Sequence, residues 1–275
     1  MSGPLISPPE LHESLDRVAL FDLRWDLSDP TGGRARYRTG HIPGAAFVDL
    51  EEDLSAREGA GRHPLPDPGD FALTLGRLGV GPRSDVVVYD DAGGSVASRL
   101  WWMLEAVGHR GTVRLLDGGW PAWQSSGYEV STTDVVPAPV HYPAPAGYRG
   151  TIDRDGVRSA HGHLLLDARS RERYRGETEP VDPRPGHIPG AVSAPWEENL
   201  AGDGRFADAA TLRRSYQSLG ADRRPTIVSC GSGVTSCHLA LALKLAGLPR
   251  PLLYPGSYSD WSRSDLPVVE GPYPE

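Results

Sequence analysis

Cysteine is scarce in this chain, with only Cys230 and Cys237 among 275 residues. Two cannot build a disulfide framework, so the fold must rest on buried apolar surface, and a thiol kept reduced becomes a candidate nucleophile. Long apolar runs are missing as well. With 39% apolar and 23% charged residues, the composition is that of a soluble globular protein, and no stretch approaches the roughly 20 apolar residues of a membrane span. Residues 1–15 lack the basic start and apolar stretch of a secretory signal, which points to the cytoplasm. Positive charge is short too: the net charge is −8, and no Lys/Arg block offers the basic surface that general nucleic-acid binding needs. Cys230 and the Cys237-His238 pair are too widely spaced for a structural zinc site and have no second pair, so neither a metal nor another cofactor is expected.

What the sequence does contain is a copy of itself. Leu20-Phe21-Asp22-Leu23-Arg24 is answered 145 residues on by Leu165-Leu166-Asp167-Ala168-Arg169. Gly40-His41-Ile42-Pro43-Gly44-Ala45 returns unchanged at an offset of 146, as Gly186-His187-Ile188-Pro189-Gly190-Ala191. Further along, Val86-Val87-Val88-Tyr89-Asp90 aligns with Thr226-Ile227-Val228-Ser229-Cys230, and Gly118, Trp120 and Trp123 align with Gly256, Tyr258 and Trp261. A period of this length is too long for a solenoid, so each copy is read as a complete domain. Between the copies, residues 131–149 carry Pro137, Pro139, Pro143 and Pro145 without periodicity, the pattern of a stiff linker; the domains are placed at 1–135 and 149–275.

Within each copy, β-branched or aliphatic runs (18–21, 86–89, 164–166 and 226–228) alternate with longer Leu-, Ala- and Arg-rich segments. That alternation predicts an α/β fold, each domain a mainly parallel sheet flanked by crossover helices. Residues 235–246 alternate like a strand at Leu239, Leu241, Leu243 and Leu245, but their length, composition and closing Gly247 favour helix.

Cys230 stands between the 226–229 strand and that helix, in Cys230-Gly231-Ser232-Gly233-Val234-Thr235. This places it at the carboxyl edge of a parallel sheet, where ligands bind. Small residues let the loop turn its backbone N–H groups inward, and the helix adds the positive end of its dipole. Such a loop cradles an anion and favours thiolate over thiol.

The strand-Cys-Gly-Ser-Gly-Val-Thr-helix unit, the two Gly-His-Ile-Pro-Gly-Ala motifs and their tandem arrangement resemble the rhodanese/3-mercaptopyruvate sulfurtransferase family over nearly the whole chain. The resemblance implies two tandem rhodanese-like domains with the active site opening between them, and the nucleophilic cysteine kept in the second copy alone. Asp90 fills the equivalent position in the first. By the family mechanism Cys230 takes a sulfur from a small-molecule donor, holds it as a persulfide and passes it to an acceptor such as cyanide, a thiol or a thioredoxin-like protein. The amides of Gly231, Gly233, Val234 and Thr235 would cradle the sulfur. Ser232 is similar to the family's proton-relay serine, whose histidine would be His41, and Arg173 and Arg184 resemble the arginines that hold the donor's carboxylate. Thiosulfate-preferring members carry Arg and Lys where this chain has Gly231 and Ser232, which implies mercaptopyruvate as donor, with thiosulfate as the alternative.

Plainer readings stand beside these. Cys237, Leu241 and Leu245 share one helical stripe, so Cys237 is read as core, a redox disulfide with Cys230 being the lesser option. His41 is open to a catalytic or a turn-fixing role, and its repeat His187 is read as structural. A cysteine phosphatase would need arginine six residues after the nucleophile, where this chain has Ser236. A non-catalytic rhodanese-like binding module is the alternative outside enzymology, and the retained Cys230 speaks against it.

Overall fold

In a computed structural model that describes residues 3–273, the aliphatic runs become strands and every strand pairing is parallel. The first sheet holds β1 (Leu5–Ile6), β2 (Ala19–Asp22), β3 (Ala46–Phe47), β4 (Val86–Tyr89) and β5 (Val113–Leu116), in the order β1-β5-β4-β2-β3. The second holds β6 (Leu164–Asp167), β7 (Ala191–Ser193), β8 (Thr226–Ser229) and β9 (Leu252–Leu253), in the order β7-β6-β8-β9. The two orders coincide once β2 is matched to β6. Thr151, bridged in parallel to Leu253, takes the place beside β9 that β1 takes beside β5. Every residue of β4, β6 and β8 is buried, as expected of strands covered on both faces, which read as continuous apolar runs rather than alternating ones. Residues 235–246 resolve as helix over Thr235–Leu245, with Gly247 just beyond in a left-handed conformation (φ 64°).

The repeated motifs fasten each sheet to its own surroundings. Arg24 lies within 2.7 Å of the Asp22 carboxylate and donates to the Gly40 carbonyl at 2.6 Å, while Arg169 repeats this with Asp167 and the Gly186 carbonyl, both at 2.7 Å. These ion pairs are almost fully buried, so each charge depends on its partner. His41 stacks on Tyr37 with ring centroids 3.9 Å apart and its Nδ1 2.8 Å from the Tyr37 carbonyl. His187 does the same with Tyr174, at 3.8 Å and 2.8 Å.

Contacts gather Met1–Ser55, Pro66–Arg149 and Gly202–Phe206 into one compact unit, and Ala56–Leu65, Gly150–Ala201 and Ala207–Glu275 into the other. A contiguous division at 1–135 and 149–275 misses this exchange of two short segments. The proline-rich stretch has neither helix nor strand over 132–149, yet it is no free linker. The amides of Val140 and Arg149 donate to Gly76 and Ala106 of the first unit at 2.9 Å, and Tyr142 is buried.

Candidate functional site

Cys230 follows the last residue of β8 and is only 2% exposed. Its loop is shaped by the short helix Ser257–Trp261. The Tyr258 amide donates to the Cys230 carbonyl at 2.9 Å and the Ser259 amide to the Gly231 carbonyl at 2.8 Å, which draws the loop carbonyls away from the sulfur. The Gly233 amide then points at Cys230 Sγ, 3.0 Å away. Gly233 has to be glycine: its φ is +79°, and a Cβ there would lie 2.3 Å from the Pro255 carbonyl oxygen. Ser257, the one non-glycine residue with positive φ (51°) among the described residues, accepts the Cys230 amide at 3.1 Å.

Burial alone would push the Cys230 thiol up. The hydroxyls of Thr235 and Ser236 and the amides of Ser236 and Ser232 outweigh it and hold the group below its ordinary value. Ser236 Oγ is buried without another hydrogen-bond partner, so its proton is available to a thiolate. Cys237, fully buried one turn into the helix, spends its thiol on the Gly233 carbonyl at 3.4 Å.

Ser232 meets a histidine, but not the one expected. Its hydroxyl is 2.8 Å from Nδ1 of His63, and both residues are buried. His63 belongs to the 56–65 segment that packs in the second unit. The same segment brings Arg62, whose amide donates to Ser259 Oγ at 3.0 Å and whose guanidinium pairs with Asp182. Arg62 and Arg173 both lie over Gly231: a Cβ on that glycine would be 2.9 Å from Arg62 Nη2 and 3.4 Å from Arg173 Nη1. Arg173 in turn donates to Asp182 at 3.1 Å and to Glu179 at 2.6 Å.

Two expected site residues are corrected by these contacts. The ring nitrogens of His41 face the main-chain carbonyls of Tyr37 (2.8 Å) and Thr133 (3.1 Å), an environment that its repeat His187 shares at Nδ1, so His41 fixes a turn and His63 is the partner of Ser232. Arg184 donates to the carbonyls of Trp261, Ser262, Ser264 and Leu266 at 2.7–3.1 Å, closing the end of the Ser257–Trp261 helix. Its guanidinium is thus occupied by main-chain carbonyls, and it is Arg62, not Arg184, that lies beside Arg173 over Gly231.

A signal for His63 was present in the repeat. Gly61-Arg62-His63 has a counterpart in Gly204-Arg205-Phe206, and these are the two segments exchanged between the units. Aligned in this way, the copies agree at His41 and His187 but differ at Asp90 and Cys230, Ala92 and Ser232, and His63 and Phe206. The thiol, the Ser232 hydroxyl and the His63 ring thus come together in the second unit alone, His63 being supplied by the 56–65 segment. In the first, the Asp90 carboxylate accepts the amides of Ala92, Gly94, Val96 and Ala97 at 2.8–2.9 Å, so that loop cradles an anion of its own.

Among the described residues, no cluster of three or more His, Cys, Asp or Glu side chains could hold a metal, and no helix is long and apolar enough to cross a membrane. The profile of the rhodanese-like domain matches residues 7–126 and 152–264. A probable 3-mercaptopyruvate sulfurtransferase of Pseudomonas aeruginosa is 43% identical over 270 residues, spanning 94% of this chain and 95% of its own. A putative thiosulfate sulfurtransferase of Mycobacterium tuberculosis, SseB, is 42% identical over 265 residues, spanning 93% and 92%. Among solved structures, SseA from Escherichia coli superposes with a TM-score of 0.80 at 30% identity, over 94% of this chain and 100% of that one.

Proposed function

The chain belongs to the rhodanese-like family, and on that premise we propose that it is a sulfurtransferase that moves sulfur from 3-mercaptopyruvate onto Cys230 and then to a thiophilic acceptor. The contact that carries the choice of donor is the hydrogen bond between Ser232 and His63, within the same loop as the thiol. Thiolate attack on the mercapto sulfur forms an S–S bond and breaks the C–S bond. The electron pair leaves with pyruvate as its enolate, and Cys230 keeps the sulfur as a persulfide. The enolate needs one proton. With Nδ1–H of His63 donating to Ser232 Oγ, the serine's own hydrogen is free to reach the enolate and His63 replenishes it.

The guanidinium groups of Arg62 and Arg173 suit the donor's carboxylate, and the Gly233 amide stabilises charge on the sulfur as it is held and released. A small thiol, cyanide or a thioredoxin-like protein then takes the outer sulfur, and the freed thiolate starts the next cycle. Both cysteines are free thiols, which fits a reducing, cytoplasmic setting.

The test is steady-state turnover of mercaptopyruvate and of thiosulfate, whose departing sulfite needs no proton to leave. In Ser232→Ala and His63→Asn, kcat with mercaptopyruvate is expected to fall by about 100-fold, and turnover of thiosulfate far less. Equal losses on both donors, or a wild type that ignores mercaptopyruvate, would overturn the choice of donor.

A further inference from the structure

The charges around the donor position do not add up to a cationic site. Arg62 and Arg173 face the loop at Gly231, yet a single carboxylate, Asp182, ties them together: Oδ1 takes Arg62 and Oδ2 takes Arg173. Glu179 occupies the far edge of Arg173 and also reaches Arg169, which Asp167 already matches. The side chain of Asp182 is 0% exposed and that of Glu179 is 3%, so water and salt screen them little. Each guanidinium is thus offset by a buried carboxylate before the thiolate is counted.

We propose that Asp182 determines donor selectivity: by neutralising the arginine pair it admits a donor with one negative charge and turns away a donor with two. This rests on the sulfurtransferase reading of the Cys230 loop, though not on which donor that loop prefers. A monoanion can share the inner faces of Arg62 and Arg173 while Asp182 keeps their outer edges. A dianion would bring a further charge toward a thiolate whose two facing arginines are already paired with buried carboxylates. One buried charge within a few ångströms of the donor is enough to shift the relative binding of dianion and monoanion by about tenfold or more. Asp182 acts through the two arginines and is therefore a specificity residue rather than a catalytic one.

The experiment compares two sulfane donors that differ by one charge, thiosulfate (dianion) and methanethiosulfonate (monoanion), with cyanide as common acceptor. In Asp182→Asn the ratio of kcat/KM for thiosulfate to that for methanethiosulfonate is expected to rise about tenfold over wild type. Glu179→Gln, which removes a second buried charge from the same group, should move the ratio the same way and decides the question if Asp182→Asn does not fold. A merely structural Asp182 would lower both donors together. An unchanged or falling ratio in the folded variant overturns the proposal. Failure of wild type to use mercaptopyruvate would contradict the donor reading alone, because the two sulfane donors still report on Asp182.

Discussion

At the scale of single residues, the loop sets the state of one sulfur against its burial. Cys230 is nearly inaccessible, a setting that by itself disfavours thiolate, yet hydroxyls and amides from Ser232, Thr235 and Ser236 turn the balance toward the charged form. Because the folded pKa lies below the unfolded one, the loop's preference for thiolate stabilises the fold above the unfolded pKa, and that contribution is lost as pH falls through the folded value. The rate of Cys230 alkylation by iodoacetamide is therefore expected to inflect below the ~8.5 of a free thiol. Replacing both hydroxyls, as Thr235→Val with Ser236→Ala, should move the inflection upward. An inflection at or above ~8.5 in the wild type would mean that burial wins.

At the scale of elements, the two strand-loop-helix units show what happens when the same cradle is given different contents. Asp90 fills its loop with a fixed carboxylate that accepts four amides, whereas the Cys230 loop has a sulfur that can change charge. Asp90→Ala removes the acceptor from all of those amides at once, and buried donors left unpaired cost about 1–3 kcal/mol each unless water or a solute anion enters. Denaturant unfolding in an anion-poor buffer is expected to show a loss of roughly 3 kcal/mol or more, partly recovered in sulfate. A change within about 0.5 kcal/mol would mean that Asp90 is incidental to the loop.

At the scale of the whole molecule, duplication made the fold legible in the sequence. The six-residue identity around His41 and His187 and the paired Asp22-Leu23-Arg24 and Asp167-Ala168-Arg169 segments mark residues that hold each unit together, and the strands expected from aliphatic runs lie within a residue of those observed. The nucleophile's loop was equally legible, since a strand, small residues and a helix leave little choice about where Cys230 sits. His63 was less so: the Gly-Arg pair shared with Gly204-Arg205 marks its segment as part of the repeat, but its place beside Ser232 in the second unit depends on long-range packing that local pattern does not encode. Arg184 misled for a related reason: a guanidinium near the expected site looks alike in sequence whether it meets a substrate or four main-chain carbonyls. The central claim is that one sulfur atom passes through Cys230. Intact-mass measurement and peptide mapping after brief exposure to 3-mercaptopyruvate without acceptor should find a single added sulfur on the Cys230 peptide in wild type and in Cys237→Ser, removed by a thiol and absent in Cys230→Ser. Protein that gains no sulfur, or gains it on Cys237 instead, would contradict the account.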